Sequence, residues 1–283
     1  MLDIDKLKEI IRHKVPSVFY VPFLSWIPNR RFWRLTSLRL RSLWMPRYRP
    51  GRIFLNGLQI NYTDILSLYM EYKDIFVHRI YHFEAKNAKP YIVDGGGYIG
   101  MSVLYFKSVY PEARIISFEP DGEIFNILQT NVMANCLKNV ELIKAGLAAE
   151  AGTFSFVPDG SDGGKICGDS ESKTTVKTVT LSDYLDAPVD FLKLNIEGQE
   201  LPVLEEAAAK GRLRNVRELV LEYHGWAGGE QRLGAILTLL DHEGFRYFIH
   251  DFDALTCGAT KPPFRLTPQT TWFCLVYARR KDV

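Results

Sequence analysis

The chain has 283 residues, 47% of them hydrophobic and 24% charged, with a formal net charge of +2. These proportions exclude a disordered chain, and the near-neutral balance excludes nucleic acid as the expected partner. The four cysteines, Cys136, Cys167, Cys257 and Cys274, form no CxxC pair, so reduced thiols in a cytoplasmic protein are expected and a structural zinc site is not.

No apolar run approaches the roughly 20 residues that span a bilayer. The opening Met-Leu-Asp-Ile-Asp lacks the charged start of a signal peptide. Leu2 to His13 has the spacing of a short amphipathic helix. Val15 to Ile27 is apolar and aromatic but interrupted by Pro16 and Pro22. Arg30, Arg31, Arg34, Arg39, Arg41, Arg47, Arg49 and Arg52 follow, interleaved with Phe32, Trp33, Trp44 and Tyr48, and no Asp or Glu lies between Arg30 and Arg52. Charged faces are usually solvated, so an N-terminal helical layer packed by its aromatics is expected. Basic residues among aromatics also suit a peripheral membrane or glycolipid contact.

Ile53 to Ile60 reads as two short strands around the turn Asn56-Gly57. Asp64 to Phe83 reads as a helix, with Ile65, Leu68, Tyr69, Tyr72, Ile75, Phe76, Ile80 and Tyr81 at helical spacing. His78 and His82 are four apart, which is the spacing of a shared metal, but no third ligand accompanies them. An N-terminal extension over 1–88 and a cofactor domain over 89–283 are expected from this organisation.

The stretch that organises the chain is Tyr91-Ile92-Val93-Asp94-Gly95-Gly96-Gly97-Tyr98-Ile99-Gly100. A buried strand runs into an acid and a glycine turn, and a helix starts at Met101. Gly95, Gly97 and Gly100 fit GxGxxG, which alone is weak. The second strand, 114–118, sharpens it by ending in Glu119-Pro120-Asp121, where an acid can bond the two hydroxyls of a ribose. Both NAD and S-adenosylmethionine carry that ribose.

Helix 123–136, strand 140–143 and the antiparallel strands 152–157 and 176–179 follow, with the Gly-, Asp- and Ser-rich stretch 158–174 between the latter as a flexible lid. Strand 191–194, helix 201–209, strand 219–221, helix 230–243, strand 245–250 and a last strand over 271–277 complete the pattern. Such alternation gives a parallel α/β sheet with helices on both faces. Ligands then sit at the carboxyl ends of the strands, where Asp94, Glu119, Lys144, Asn195, Glu197, Glu222 and His224 all fall.

The strings Val93 to Gly100, Phe118-Glu119-Pro120, Thr180 to Tyr184, Lys193-Leu194-Asn195-Ile196-Glu197-Gly198 and Glu222-Tyr223-His224, in this order, resemble the FkbM methyltransferases over about residues 60–225. The resemblance implies a class I methyltransferase (Rossmann-like) fold, a seven-stranded, mostly parallel sheet whose last strand is antiparallel. It implies S-adenosylmethionine as cofactor, leaving as S-adenosylhomocysteine, and a hydroxyl of a sugar or polyketide as acceptor. Carried over by residue, the cofactor loop is Asp94, Gly95, Gly96, Gly97, Tyr98 and Gly100. Glu119, followed by Pro120, is the ribose acid, and Ala145 lies in the adenine-side loop. Lys193, Glu197 and Gly198 match the fourth-strand motif. Tyr98 stands where the family usually has Asn, and Asn195 where it usually has Asp. Asn cannot act as a base.

An alcohol is a poor nucleophile until its proton is leaving, so methyl transfer to oxygen calls for a nearby base. His224 is the first candidate, because its unperturbed pKa of about 6.5 suits proton pickup near neutrality. Glu222, two residues back on the strand, could share its face and then orient the imidazole or act in its place as the base. Glu197 is the second candidate base, and Lys193 could contact Glu197 or an acidic substrate. Glu197, Glu222 and His224 could also ligate a divalent metal, which the chemistry does not require. Three classes stay open on the residues alone: a methyltransferase acting on a small-molecule or glycan acceptor, an NAD(P)-dependent oxidoreductase, and a cofactor-binding protein of the same fold without turnover. The sequence is silent on oligomeric state.

Overall fold

The computed structural model describes residues 30–157, 165–167, 174–250 and 263–281. The helix expected over 2–13 and the apolar stretch 15–27 lie outside these residues. Helix α1 (Arg30–Trp44) leads into the hairpin of β1 (Gly51–Leu55) and β2 (Leu58–Tyr62), whose turn places Asn56 and Gly57 at φ 54° and 79°. Two left-handed residues match the twist of the flanking strands, which is why Asn-Gly stands there. Helix α2 (Ile65–Glu71) starts on Asp64, whose Oδ1 accepts the Leu66 and Ser67 N–H groups at 2.6 and 3.1 Å.

The helix expected to run to Phe83 does not. From Tyr72 to His78 it widens into a π-helix, and Arg79, at φ 60°, ends it. The apolar spacing over 65–76 is truly helical, but Ile80, Tyr81 and Phe83 belong to an irregular segment laid over the sheet. Phe83 stacks on Phe191, with ring centroids 4.4 Å apart and planes 8° apart.

The main sheet has seven strands in the order β12-β13-β11-β10-β3-β4-β5. These are β3 (Tyr91–Gly95), β4 (Arg114–Phe118), β5 (Val140–Ile143), β10 (Val189–Leu194), β11 (Val216–Gly225), β12 (Phe245–His250) and β13 (Trp272–Arg280). The five strands from β11 to β5 are parallel, and β13 inserts antiparallel between β11 and β12. This is the class I methyltransferase sheet expected from the resemblance. Near-continuous runs such as Ile115-Ile116 and Leu219-Val220-Leu221 suit parallel strands covered on both faces.

Helices α3 (Met101–Val109), α4 (Gly122–Ala134), α5 (Glu200–Ala209) and α6 (Leu233–His242) connect the strands. One core packs α3, α4 and the N-terminal layer against Ile92, Phe191 and Val220, and a second packs α5 and α6 against Leu192, Leu194, Leu219 and Leu221. A smaller sheet, β6-β9-β7-β8, is made of β6 (Gly146–Leu147), β7 (Gly152–Val157), β8 (Lys165–Cys167) and β9 (Thr174–Val179). The stretch expected as an unbroken flexible loop therefore contains strand β8, and its other residues lie outside those described.

One difference positions the site. The strand expected at Leu219-Val220-Leu221 is short, with Glu222-Tyr223-His224 at its very end. Instead β11 runs on to Gly225. Its parallel partner β10 stops at the pair Leu194↔Leu221, but β13 keeps pairing through Glu222↔Leu275, His224↔Phe273 and Gly225↔Trp272. Four residues of β11 thus overshoot the neighbouring strand tip.

Candidate active site

Strand alternation puts Asp94 two residues after Ile92, Lys193 two after Phe191, and Glu222 and His224 two and four after Val220. Ile92, Phe191 and Val220 belong to the core under the N-terminal layer. That sheet face is therefore apolar in its middle and polar at its carboxyl edge.

Asp94 is fully buried. Its Oδ2 accepts the hydroxyls of Ser102 and Ser117, both at 2.8 Å, and its Oδ1 lies 3.1 Å from Lys193 Nζ. The Lys193 ammonium also donates to the carbonyl of Gly95 at 3.1 Å and to that of Gly96. One lysine thus clips β10 to the glycine turn after β3. Gly96, at φ +82°, is where the turn most needs glycine, since a Cβ would sit 1.9 Å from the Asn195 carbonyl oxygen. The N–H groups of Gly96 and Gly97 donate to Phe118 O at 3.1 and 2.7 Å, and Gly100 opens α3.

Glu119 closes this half. Its Oε2 accepts the Tyr98 N–H and its Oε1 the Asp121 N–H, each at 2.9 Å. Burial pushes the carboxyl up to about 7, against the downward pull of the two N–H groups. Each oxygen keeps a lone pair for a further donor. Tyr98 holds φ 45°, a left-handed conformation that Asn tolerates better than a bulky ring. Its hydroxyl shares a 2.9 Å hydrogen bond with Thr63 Oγ1, tying the loop to the N-terminal layer. Pro120 leads toward α4, and Ala145 is buried just past β5, where its N–H turns back to Ile143 O at 2.9 Å. The residues present fit an adenosyl cofactor: a buried carboxylate with free acceptor capacity for a vicinal diol, beside a turn that admits no side chain.

The other half lies over the tips of β10 and β11. Glu222 was expected to orient His224, but its Oε1 accepts the Tyr81 hydroxyl instead. Tyr81 is buried, and Lys193 Nζ lies 5.6 Å from its ring centroid. Burial, then the Glu222 charge, holds the phenol well above its usual range, so it stays a hydrogen-bond donor. His224 Nε2 lies 3.6 Å from Glu197 Oε1. The imidazole stacks on Trp226, centroids 5.2 Å and planes 8° apart, and meets the Phe273 ring edge-on at 4.9 Å. Burial pushes it down to about 4, despite a lift from the Glu222 backbone. It is therefore neutral at pH 7, free to accept a proton but a weaker base than an exposed histidine.

Glu197 and Gly198 are both left-handed, at φ 55° and 97°. Glu200 pins this turn: its two carboxylate oxygens accept the Ile196 and Gly198 N–H groups at 3.0 and 2.9 Å. Burial raises that carboxyl to about 7. Asn195 donates its backbone N–H to Gly95 O at 3.0 Å, and its side-chain Oδ1 is buried without a hydrogen-bond partner among the described residues. Beside His224 opens a cavity of about 170 Å³, bounded by Gly198, Leu201, Tyr223, Trp226 and Arg232.

Asp94, Lys193, Glu197, Glu222 and His224 thus converge, with Glu119 reached through the glycine turn. Tyr81, Glu200 and Trp226 were not singled out in the sequence. The spacing Glu197-Gly198-x-Glu200 was a readable sign of a turn closed by its own helix, whereas Tyr81 was hidden in an apolar helical pattern. Among the described residues, no group of three or more His, Cys, Asp and Glu side chains is placed to hold a metal ion. His78 meets Asp74 at 3.1 Å, and His82 lies against Arg79 and Tyr105.

Comparison with known proteins bears on this geometry. The model of the methyltransferase FkbM domain matches residues 94–247. Methyltransferase sdnD of Sordaria araneosa is 30% identical over 212 residues, covering 62% of this chain and 80% of the relative. Methyltransferase 1 of Beauveria bassiana is 27% identical over 183 residues, covering 52% and 74%. Among solved structures, an FkbM methyltransferase from Methylobacillus flagellatus is similar at 16% identity and TM-score 0.44, covering 88% of this chain and 59% of that one.

Proposed function

The chain belongs to the FkbM methyltransferase family, and on that premise we propose that it methylates a hydroxyl of a small-molecule or glycan acceptor, with Glu197 and His224 receiving the departing proton. S-adenosylmethionine, the family's donor, supplies a methyl group already activated by its sulfonium when bound. The nicotinamide alternative falls with the family assignment.

The chain's own residues divide the work. Glu119 takes the ribose hydroxyls through its remaining lone pairs, and Lys193 holds the glycine turn against β10. With the donor already activated, the protein mainly supplies alignment and a path for the acceptor proton. The observation that carries the reading is the 3.6 Å gap between His224 Nε2 and Glu197 Oε1. It is too long for a direct hydrogen bond and can be bridged by one hydroxyl that meets both groups. A neutral imidazole there accepts the hydroxyl proton or steers it toward Glu197. Glu222, held by Tyr81, lies two residues back on the same strand face as His224. Trp226, stacked on the His224 ring, offers an aromatic surface beside these groups, which suits the apolar face of a sugar ring or a polyketide.

An acceptor screen that follows release of S-adenosylhomocysteine tests the reading. Hydroxylated sugars and polyketides are expected to turn over in the wild type. Glu197→Gln and His224→Ala are expected to lose roughly 100-fold or more in kcat while donor affinity is kept. Near-normal turnover in both variants would overturn the proton assignment. Donor binding with no turnover on any hydroxyl compound would favour the cofactor-binding protein without catalysis, which the departures at Tyr98 and Asn195 motivate.

A further inference from the structure

The face of α1 that points away from the core is built for an interface. Leu38 is fully buried, with Leu35 partly buried beside it. About 100° separates successive residues of a helix, so Leu40, Leu43 and Trp44 lie on the opposite side from Leu38. They are 53%, 70% and 85% exposed. Arg39 and Arg41 flank this stripe on its two sides, and both are exposed. Tyr48 and Arg49 continue the exposed, basic and aromatic character past the helix end. A helix with a second apolar stripe edged by arginines has one too many hydrophobic faces for a water-solvated element.

The charge pattern selects the occupant. From Ile10 to Thr63 the chain carries ten Lys and Arg and no Asp or Glu, although the whole chain is only +2. Arg47 is paired, its Nε 2.6 Å from Asp64 Oδ2. Arg39, Arg41 and Arg49 meet no acid among the described residues. Residues 10–29 hold no acid either, and the acids Asp3, Asp5 and Glu9 of the first nine residues are largely offset by Lys6 and Lys8, so folding this segment over the stripe would leave most of these cations uncompensated. A second copy would bring like charge against like charge. Anionic lipid headgroups supply the negative charge, and the acyl boundary beneath them takes Leu40, Leu43 and Trp44.

We propose that α1 docks this protein on anionic membrane surfaces, lying in the interface plane with its Leu40–Leu43–Trp44 stripe inward and Arg39, Arg41 and Arg49 at headgroup level. The contact is peripheral; among the described residues no helix is long and apolar enough to cross a membrane.

Co-sedimentation of the full chain with phosphatidylcholine vesicles, with and without phosphatidylserine, tests this. Binding is expected only with phosphatidylserine and is expected to weaken as salt is raised. Leu40→Ser/Leu43→Ser/Trp44→Ser and, separately, Arg39→Gln/Arg41→Gln/Arg49→Gln are each expected to weaken it roughly tenfold or more. Both variants should keep the thermal stabilisation by S-adenosylhomocysteine, which reports an intact fold; should the apolar variant fail to fold, the arginine variant still decides. No binding to phosphatidylserine vesicles overturns the proposal. Binding that survives the apolar variant means charge attraction alone and also overturns it. A dimer in solution that the apolar variant dissociates would assign the stripe to a second copy and do the same.

Discussion

The two halves of the proposed site are held in different ways. The donor half, around Asp94, the glycine turn and Glu119, closes mainly on its own neighbourhood: Glu119 is fixed by the Tyr98 and Asp121 N–H groups and Asp94 by Ser102 and Ser117, with Lys193 reaching it from β10. The acceptor half depends on distant elements. Tyr81 reaches Glu222 from 141 positions away in sequence, and among the described strands only β13 pairs with the last four residues of β11. A half stabilised from within should tolerate changes to the other, while the acceptor half should vary freely around a constant donor site.

The largest effect should come from breaking a residue that joins the halves. Lys193→Met leaves Asp94 as a buried carboxylate without its cation, which costs about 3–5 kcal/mol. Chemical denaturation is expected to show that loss, with donor binding abolished; a loss below about 1 kcal/mol would mean that the pair is not a keystone.

Gly96→Ala comes next. It puts a methyl group where the Asn195 carbonyl lies 1.9 Å away and holds alanine at φ +82°, for about 1–3 kcal/mol of strain. It should also erase stabilisation by S-adenosylhomocysteine. A variant that melts and binds like wild type would show that the turn has room the structure denies.

Tyr81→Phe sharpens the division from the other side. It removes the hydroxyl from the buried Glu222 carboxylate, at a cost of about 1–3 kcal/mol. Turnover is expected to fall roughly tenfold or more for the same reason, with the affinity for S-adenosylhomocysteine unchanged. Equal losses of turnover and donor affinity would dissolve the distinction between the halves.

The smallest effects are in pH. Glu119 titrates near 7 in the folded protein, and its ionised form is the better acceptor for ribose hydroxyls. Donor affinity should therefore weaken as pH falls below about 7, and Glu119→Gln should flatten that dependence. His224 has the opposite stability sign to a partnered histidine. Its folded pKa of about 4 lies below the ordinary 6.5, so the unfolded chain takes up the proton first and stability drops as pH falls from about 6.5 toward 4. NMR titration of His224 should show a neutral ring down to about pH 4; protonation near 6.5 would contradict the buried geometry.

The same contrast explains what could be read from the sequence. The donor half was legible because its parts are contiguous: strand, acid, glycines and helix in one stretch, and Glu119-Pro120 at the end of the next strand. Tyr81 was not legible. Its spacing continues the helix that starts at Ile65, and only the π-helical turn and the left-handed Arg79 divert it over Lys193. Glu222 and His224 were placed together at the end of a short strand, whereas β11 runs from Val216 to Gly225. The extension of β11 is decided by its pairing with β13, some fifty residues later, and no local pattern reports that. Burial also pushes His224 down to about 4, which the unperturbed value used for it in the sequence could not report.

The measurement that bears most directly on the account is calorimetric titration of S-adenosylhomocysteine into the wild type, Glu119→Ala, Tyr81→Phe and Glu197→Gln. Two independent halves predict that only Glu119→Ala loses affinity, by roughly tenfold or more. Loss of affinity in all three variants, or in none, would contradict the assignment of a donor half at β3 and β4 and an acceptor half at β10 and β11.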